Sequence, residues 1–495
     1  MVKAQKSLSQ PFYSFSNLQS LHKAEVWLFP MIKNMHSLSS LTFDCRVSFP
    51  LRFLKRLFMS LAALKRFNKL IISMKPEEMQ DDKIFRSSIK FLQRIKTLVN
   101  ISVSLEVPQV PPVPIRHSQA FSSHLKKLTQ LRALEVKVSG LGNLENFIDH
   151  LALILLNLPQ LTKISLKFPE STTLQNSSLR QLFVSLQSLK SLSSLKLKLL
   201  YRPGFQENDP RPFSEYLRYL NRTQLHELNL KFYGAYNEKK ILRLSKALEG
   251  FTSLQHLKLN FSKCCRLQEL GMRLFSLAFY GLVKLESLNL YFSSPYRNEL
   301  IMPTIADALR SLVNLNTLKL SFVYNMTATE DDRNYLFVIL RWLKLLKSID
   351  LFFGDKNVVT DDDLETLRQS LKQLLLLNNL SLYFTNSKSL TNKGIEGLAR
   401  GIQPLKNLKD LQLGFGCFNQ AGERGFKMLG EALQDLPVLS SFTFHFSGFS
   451  WRRENDPSGL ADFFTGLTLI KNPVEIFLRI PKKKQIVKKQ KNCSK

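Results

Sequence analysis

The chain has 495 residues, 44% of them hydrophobic and 22% charged, enough apolar surface for a folded protein and too little net polarity for a disordered one. Seventy Lys and Arg stand against 39 Asp and Glu, a formal net charge of +31, which favours anionic partners: acidic protein, nucleic acid or anionic membrane. Five scattered cysteines, Cys45, Cys264, Cys265, Cys417 and Cys493, form no CxxC pair, and no apolar run has signal-peptide or membrane-spanning length, so a reducing, intracellular setting is expected.

At the N-terminus, residues 1 to 24 carry Lys3, Lys6 and Lys23, many serines and no acid. A mitochondrial leader has this composition, but Leu8, Pro11, Tyr13 and Phe15 keep the spacing of a strand-forming repeat, and residues 1 to 37 are expected to be a cap or degraded repeat. Leu38, Leu41 and Phe43 make the first recognisable strand. From there one pattern recurs about fourteen times: leucine, two residues, leucine or isoleucine, one residue, leucine, one residue, phenylalanine. Leu161, Ile164, Leu166 and Phe168 spell it, as do Leu285, Leu288, Leu290 and Phe292. The first leucines fall at Leu98, Leu131, Leu161, Leu192, Leu225, Leu254, Leu285, Leu315, Leu346, Leu377, Leu408 and Leu439, at intervals near 31 residues.

The unit beginning at Leu377 shows what one interval encodes. Leu380, Leu382 and Phe384 alternate with Ser381 and Tyr383, the period of a strand with one buried face. A polar turn, Thr385 to Ser389, precedes Ile395, Leu398, Ala399 and Ile402, whose steps of three and four predict an amphipathic helix. Leu405 and Leu408 then lead into the next strand, Leu411 to Phe415. Because right-handed crossovers put every helix on one side, the strands must run parallel. Helices are about 10 Å across and strands about 4.8 Å apart, so the stack is expected to curve into an arc with the sheet inside.

This pattern resembles the leucine-rich repeats of the ribonuclease-inhibitor type, most closely in Gly394 to Leu413 and Gly422 to Phe444. The resemblance implies an α/β leucine-rich-repeat solenoid, a horseshoe of about 14 repeats spanning residues 38 to 447. Horseshoes of this type serve as protein inhibitors, ubiquitin-ligase substrate receptors or GTPase-activating partners; no F-box-like segment is recognisable ahead of the repeats. There is one consistent departure. Where the family usually places Asn or Cys, this chain has Ser262, Ser293, Gly354, Thr385, Gly416 and Ser447, each preceded by phenylalanine. A phenylalanine spine is expected to replace the asparagine ladder.

Three loops interrupt the rhythm: Pro108 to Pro114, Tyr201 to Pro212 and Trp451 to Gly459. Residues 448 to 480 are expected to form a C-terminal cap containing a helix, Leu460 to Leu469, and a closing strand, Val474 to Leu478. Residues 481 to 495 form a basic tail. Within it, Lys482 to Lys491 resemble a nuclear import signal, so a cytoplasmic or nuclear location is expected ahead of a mitochondrial one.

No catalytic constellation, metal set or cofactor motif emerges, and a non-enzymatic interaction scaffold is expected, with no cofactor. The histidines fall in different repeats, and Asp361, Asp362 and Asp363 read as the first turn of a helix capped by Thr360 rather than a cation site. The informative positions are the outward strand residues. Lys137, Lys167, Lys196, Lys198, Lys231, Lys258 and Lys319 supply a basic ridge, and Tyr291, Phe352, Tyr383 and His445 an aromatic one. Together they are expected to bind an acidic segment of a protein partner on the concave face. A nucleic-acid or ribonucleoprotein role is the alternative, and a regulatory subunit or substrate receptor a further one.

Overall fold

The computed structural model describes residues 2–3, 28–44, 51–74, 90–106, 119, 122–139, 144–168, 176–198, 213–222, 224–231, 234–235, 238–262, 264–265, 269–294, 301–324, 328–416, 423–447 and 475–479. The three irregular loops, the helix expected at Leu460 to Leu469 and the basic tail lie outside them. The chain divides into two compact units, residues 1 to 290 and 291 to 495, and the division falls inside the strand Ser287–Ser294.

In the first unit the strands Ser40–Asp44, Lys69–Met74, Asn100–Glu106, Ala133–Ser139, Lys163–Lys167, Ser194–Lys198, Glu227–Lys231 and His256–Ser262 pair in chain order, each parallel to the last. Val2–Lys3 lies antiparallel on Ser40–Asp44, placing the extreme N-terminus on that edge. In the second unit Thr317–Tyr324, Ser348–Val358, Asn379–Asn386, Asp410–Gly416, Ser441–Ser447 and Glu475–Arg479 obey the same rule. The last of these is the closing strand expected near Val474. Helices such as Asp361–Leu371, Asn392–Ile402 and Glu423–Gln434 fill the crossovers and pack on one another in sequence. Each unit is therefore an α/β leucine-rich-repeat solenoid.

The repeat is a core in the literal sense: each of the twelve first leucines, Leu98 through Leu439, is at most 2% exposed. Ile395, Leu398, Ala399 and Ile402 are equally buried on the inner side of their helix. The phenylalanine spine is present in the second unit. Phe292, Phe322, Phe353, Phe384 and Phe415 stack in succession with centroids 5.9, 5.8, 5.6 and 5.9 Å apart. Such ring pairs stabilise by roughly 0.5–1.5 kcal/mol each beyond the area they bury.

Backbone atoms supply a ladder of their own. The carbonyl of Asn316 accepts from the amides of Lys347 and Ser348, that of Lys347 from Asn378 and Asn379, and that of Asn378 from Lys409 and Asp410. In the first unit Arg132, Thr162, Ser193 and His226 accept the same paired bonds. Side-chain rungs reinforce it: Thr162 Oγ1 donates to the Arg132 carbonyl at 3.1 Å, Ser193 Oγ to that of Thr162 at 3.1 Å and Ser440 Oγ to that of Lys409 at 3.0 Å, and at the strand ends Thr385 Oγ1 donates to the Phe353 carbonyl at 3.1 Å.

The three aspartates after Thr360 face three different ways. Thr360 and Asp363 form a reciprocal capping box, as do Thr329 and Asp332 one repeat earlier. Asp363 also receives Arg333 Nε at 2.9 Å in a pair that is 5% and 0% exposed. Asp361 reaches the next helix start, accepting from Thr391 N at 2.9 Å and Gly394 N at 3.0 Å. Asp362 points outward beside Lys393.

These contacts set two stability outcomes. Phe353→Ala, which takes one ring and its contacts with Phe322 and Phe384 out of the stack, should cost about 3–5 kcal/mol in urea unfolding. Arg333→Met should cost a comparable amount, about 3–5 kcal/mol, because it strands the Asp363 carboxyl in the interior; the double variant Arg333→Met with Asp363→Leu should recover part of it, less the roughly 0.5–2 kcal/mol of the lost Thr360 cap.

Candidate functional site

Since alternate residues of every strand are committed to the core, the others stand on the outer sheet face in columns set by register. In the first unit Lys137 pairs with Lys167, Lys167 with Lys198 and Lys198 with Lys231, so the expected lysine row exists, one side chain per strand. Lys196 sits one column over, beside Ser165 and Asn229, and Lys258 beside Asn229. Lys137 and Lys258 are exposed; Lys167, Lys196, Lys198 and Lys231 are half-buried.

The ridge is not uniformly cationic, contrary to what the columns alone suggest. Glu135 reaches diagonally to Lys167 Nζ at 2.6 Å and accepts from Ser102 Oγ at 3.0 Å. Glu227 takes Lys196 Nζ at 2.8 Å and Ser194 Oγ at 2.6 Å. Partial burial alone would push both carboxyls up. For Glu135 the hydrogen bonds from Lys167 and Ser102 and the nearby lysine charges outweigh it, and the pKa falls below the ordinary value. For Glu227 the bonds from Lys196 and Ser194, with the charges of Lys196 and His256, do the same. Even so, the strands from Ala133 to Ser262 hold seven lysines against these two glutamates, and Lys137, Lys198 and Lys258 have no ion pair among the described residues.

The second unit has a different face. Lys319 is held by Asp350 in the next strand, so it is no part of an open basic ridge. Phe352 and Tyr383 are neighbours at 6.2 Å, and Tyr383 meets His445 edge-on at 5.2 Å although one strand lies between them. Gly414 makes this possible: a Cβ there would overlap Cδ1 and Cε1 of the Tyr383 ring. The Tyr383 hydroxyl donates to Gln412 Oε1 at 2.9 Å, fixing the ring across the gap. Tyr291 is half-buried on the strand Ser287–Ser294. Spacing identified the aromatics; it gave no hint that a glycine joins them.

Of the histidines, His124 is tied to Gln93, whose Nε2 lies 2.7 Å from its Nδ1, while His117 lies outside the described residues. Among the described residues no three His, Cys, Asp or Glu side chains group to hold a metal ion, and no helix is long and apolar enough to cross a membrane.

Together the parallel strands and packed helices define a leucine-rich-repeat solenoid, with lysines on the outward strand positions of the first unit and aromatic rings on those of the second. No protein-family model matches the chain, and no curated protein matches it. Solved structures do. The chain is similar to a yeast structure described as the complex of Rad7 and Elc1, with 17% identity over 90% of this chain and 97% of that one, at a TM-score of 0.42. It is also similar to the TLR13–ssRNA13 complex, with 17% identity over 91% of this chain and 57% of that one, at a TM-score of 0.45.

Two outcomes test the site's construction. Gly414→Ala should displace the Tyr383 ring and destabilise the chain by roughly 1–3 kcal/mol, whereas in a Tyr383→Ala background the same change should be nearly neutral, a coupling that a double-mutant cycle in urea reads directly. Because the folded pKa values of Glu135 and Glu227 are depressed, their contribution is present above the unfolded carboxylate value, about 4.3. It is lost as pH falls through the folded values. Replacing both by Gln should flatten the acid limb of stability against pH; an unchanged limb would show that these pairs contribute nothing there.

Proposed function

We propose that the chain is a non-enzymatic interaction scaffold of the ribonuclease-inhibitor type, and that its lysine-bearing strand face binds an acidic segment of a partner protein. The full helix in units such as Asn392–Ile402 supports the type. One observation carries the binding reading: register aligns Lys137, Lys167, Lys198 and Lys231 in a single row, with glutamates holding Lys167 and, outside the row, Lys196. Cations spaced about 5 Å apart repel one another, and an extended acidic strand laid along the row relieves that repulsion. The interleaved Glu135 and Glu227 favour a discrete protein ligand over a uniform polyanion, because they would repel evenly spaced phosphates. Separately, Tyr291, Phe352, Tyr383 and His445 offer apolar and stacking surface on the second unit, suited to anchoring side chains.

The test compares an Asp/Glu-rich peptide with a single-stranded oligonucleotide, both fluorescently labelled. Lys167→Glu, Lys198→Glu and Lys231→Glu together should weaken peptide binding at least about tenfold, equivalent to about 1.4 kcal/mol. Unchanged peptide affinity would refute the reading. Tighter oligonucleotide binding with a steep salt dependence would replace it with a nucleic-acid role.

A further inference from the structure

A second surface lies on the edge of the second unit, where helices return to strands. There the turns 310–316, 341–347 and 372–378 read RSLVNLN, RWLKLLK and KQLLLLN. Their alternate leucines, among them Leu343, Leu346 and Leu374, are buried as the repeat demands. The residues between them are not what a solvated turn requires. Trp342 is 62% exposed and Val313 60%, and Leu345, Leu375 and Leu376 are about half exposed.

These side chains form one patch rather than isolated instances. The Asn316 carbonyl accepts from Lys347 and Ser348, and the Lys347 carbonyl from Asn378 and Asn379, which hold the ends of the three turns side by side. Lys344 Nζ reaches Gln373 Oε1 at 3.0 Å, joining the middles of two of them. Isolated exposed apolar residues are ordinary on a protein surface; a tryptophan, three leucines and a valine on adjoining turns are not.

The charge of the same turns is one-sided. They contain Arg310, Arg341, Lys344, Lys347 and Lys372 and no acidic residue. Tryptophan and leucine at the tip, with lysine and arginine around them, is the chemistry that partitions into the headgroup layer of a bilayer: the apolar groups enter the acyl boundary while the cations meet anionic lipid. Half-exposed apolar side chains at turn positions, flanked by cations, suit insertion into a fluid anionic surface.

We infer that this edge is a peripheral docking surface for an anionic phospholipid bilayer. The inference stands apart from the lysine row, which lies on the strand face of the other unit, and the two can fail separately.

The test is co-sedimentation of the full chain with vesicles of phosphatidylcholine alone or with phosphatidylserine added. Binding should require phosphatidylserine. Trp342→Ser, Leu345→Ser and Leu375→Ser together should lower partitioning by at least about tenfold. Their exposure means that the thermal melt should be retained, and Lys344→Glu with Lys372→Glu, which leaves the apolar residues in place, should also weaken binding. In a chain with Trp27→Phe and Trp451→Phe, emission from Trp342 should shift to the blue on vesicle addition. The strand-face variant Lys167→Glu, Lys198→Glu, Lys231→Glu should bind vesicles normally. No phosphatidylserine-dependent binding, an edge variant that binds like the parent, or loss of binding only in the strand-face variant would overturn the assignment. An edge variant that merely turned a dimer into a monomer, with vesicle binding intact, would assign the patch to a second copy of the chain instead.

Discussion

Everything on the surface of this molecule depends on one burial constraint: each repeat must put the same three or four aliphatic and phenylalanine side chains against those of its neighbours. Leu380, Leu382 and Phe384 are at most 1% exposed, and Phe384 lies between the rings of Phe353 and Phe415. Slipping a strand by one residue would turn that set to solvent and bury Ser381 and Tyr383, so register is determined by the core. The carbonyl ladder at the strand starts, Asn316 to Lys347 to Asn378 to Lys409, reinforces the same register from the backbone. Columns of outward residues are therefore a by-product of packing, and the lysine row inherits its order from residues it does not touch.

That dependence explains why the sequence was so informative about fold. Period-two alternation around Leu380 and steps of three and four around Ile395 each report which side chains face inward, and the structure places both sets in the interior. The capping role of Thr360 was readable because capping is local, a matter of residues three apart. Contacts that cross repeats on a diagonal were beyond such a reading. Glu227 with Lys196, Arg333 with Asp363 and Asp361 with Thr391 are 30 or so residues apart, and their meeting depends on rotamers and on which column each side chain leans toward. Gly414 is the sharpest case: its importance is the absence of a side chain beneath the Tyr383 ring. The strand Ser348–Val358 also runs longer than the repeat predicts, with a register shift between Phe353 and Val358. No hydrophobic spacing announces such an irregularity.

The two units use one scaffold for different surface chemistry. The first presents lysines partly tethered by Glu135 and Glu227, a compromise between a cationic face and the repulsion of like charges within one screening length, about 8 Å at physiological salt. In the second, aromatic rings occupy the equivalent columns and Asp350 neutralises Lys319. Because outward positions carry little of the core packing, with the Gly414–Tyr383 contact as an exception, such divergence costs the fold little. The same freedom leaves Trp342 and its leucine neighbours at the turns, where the repeat asks only for the buried leucines between them.

The measurement that bears most directly on this account is the spacing of the lysine row. Nitroxide labels placed on Lys198→Cys and Lys231→Cys, in a chain whose native cysteines are replaced, would sit on adjoining parallel strands about 5 Å apart at the backbone. Strong dipolar broadening of the doubly labelled spectrum, relative to the sum of the singly labelled ones, is the expected result. A doubly labelled spectrum identical to that sum would mean that these residues do not share a column, and that the buried seam does not set the surface.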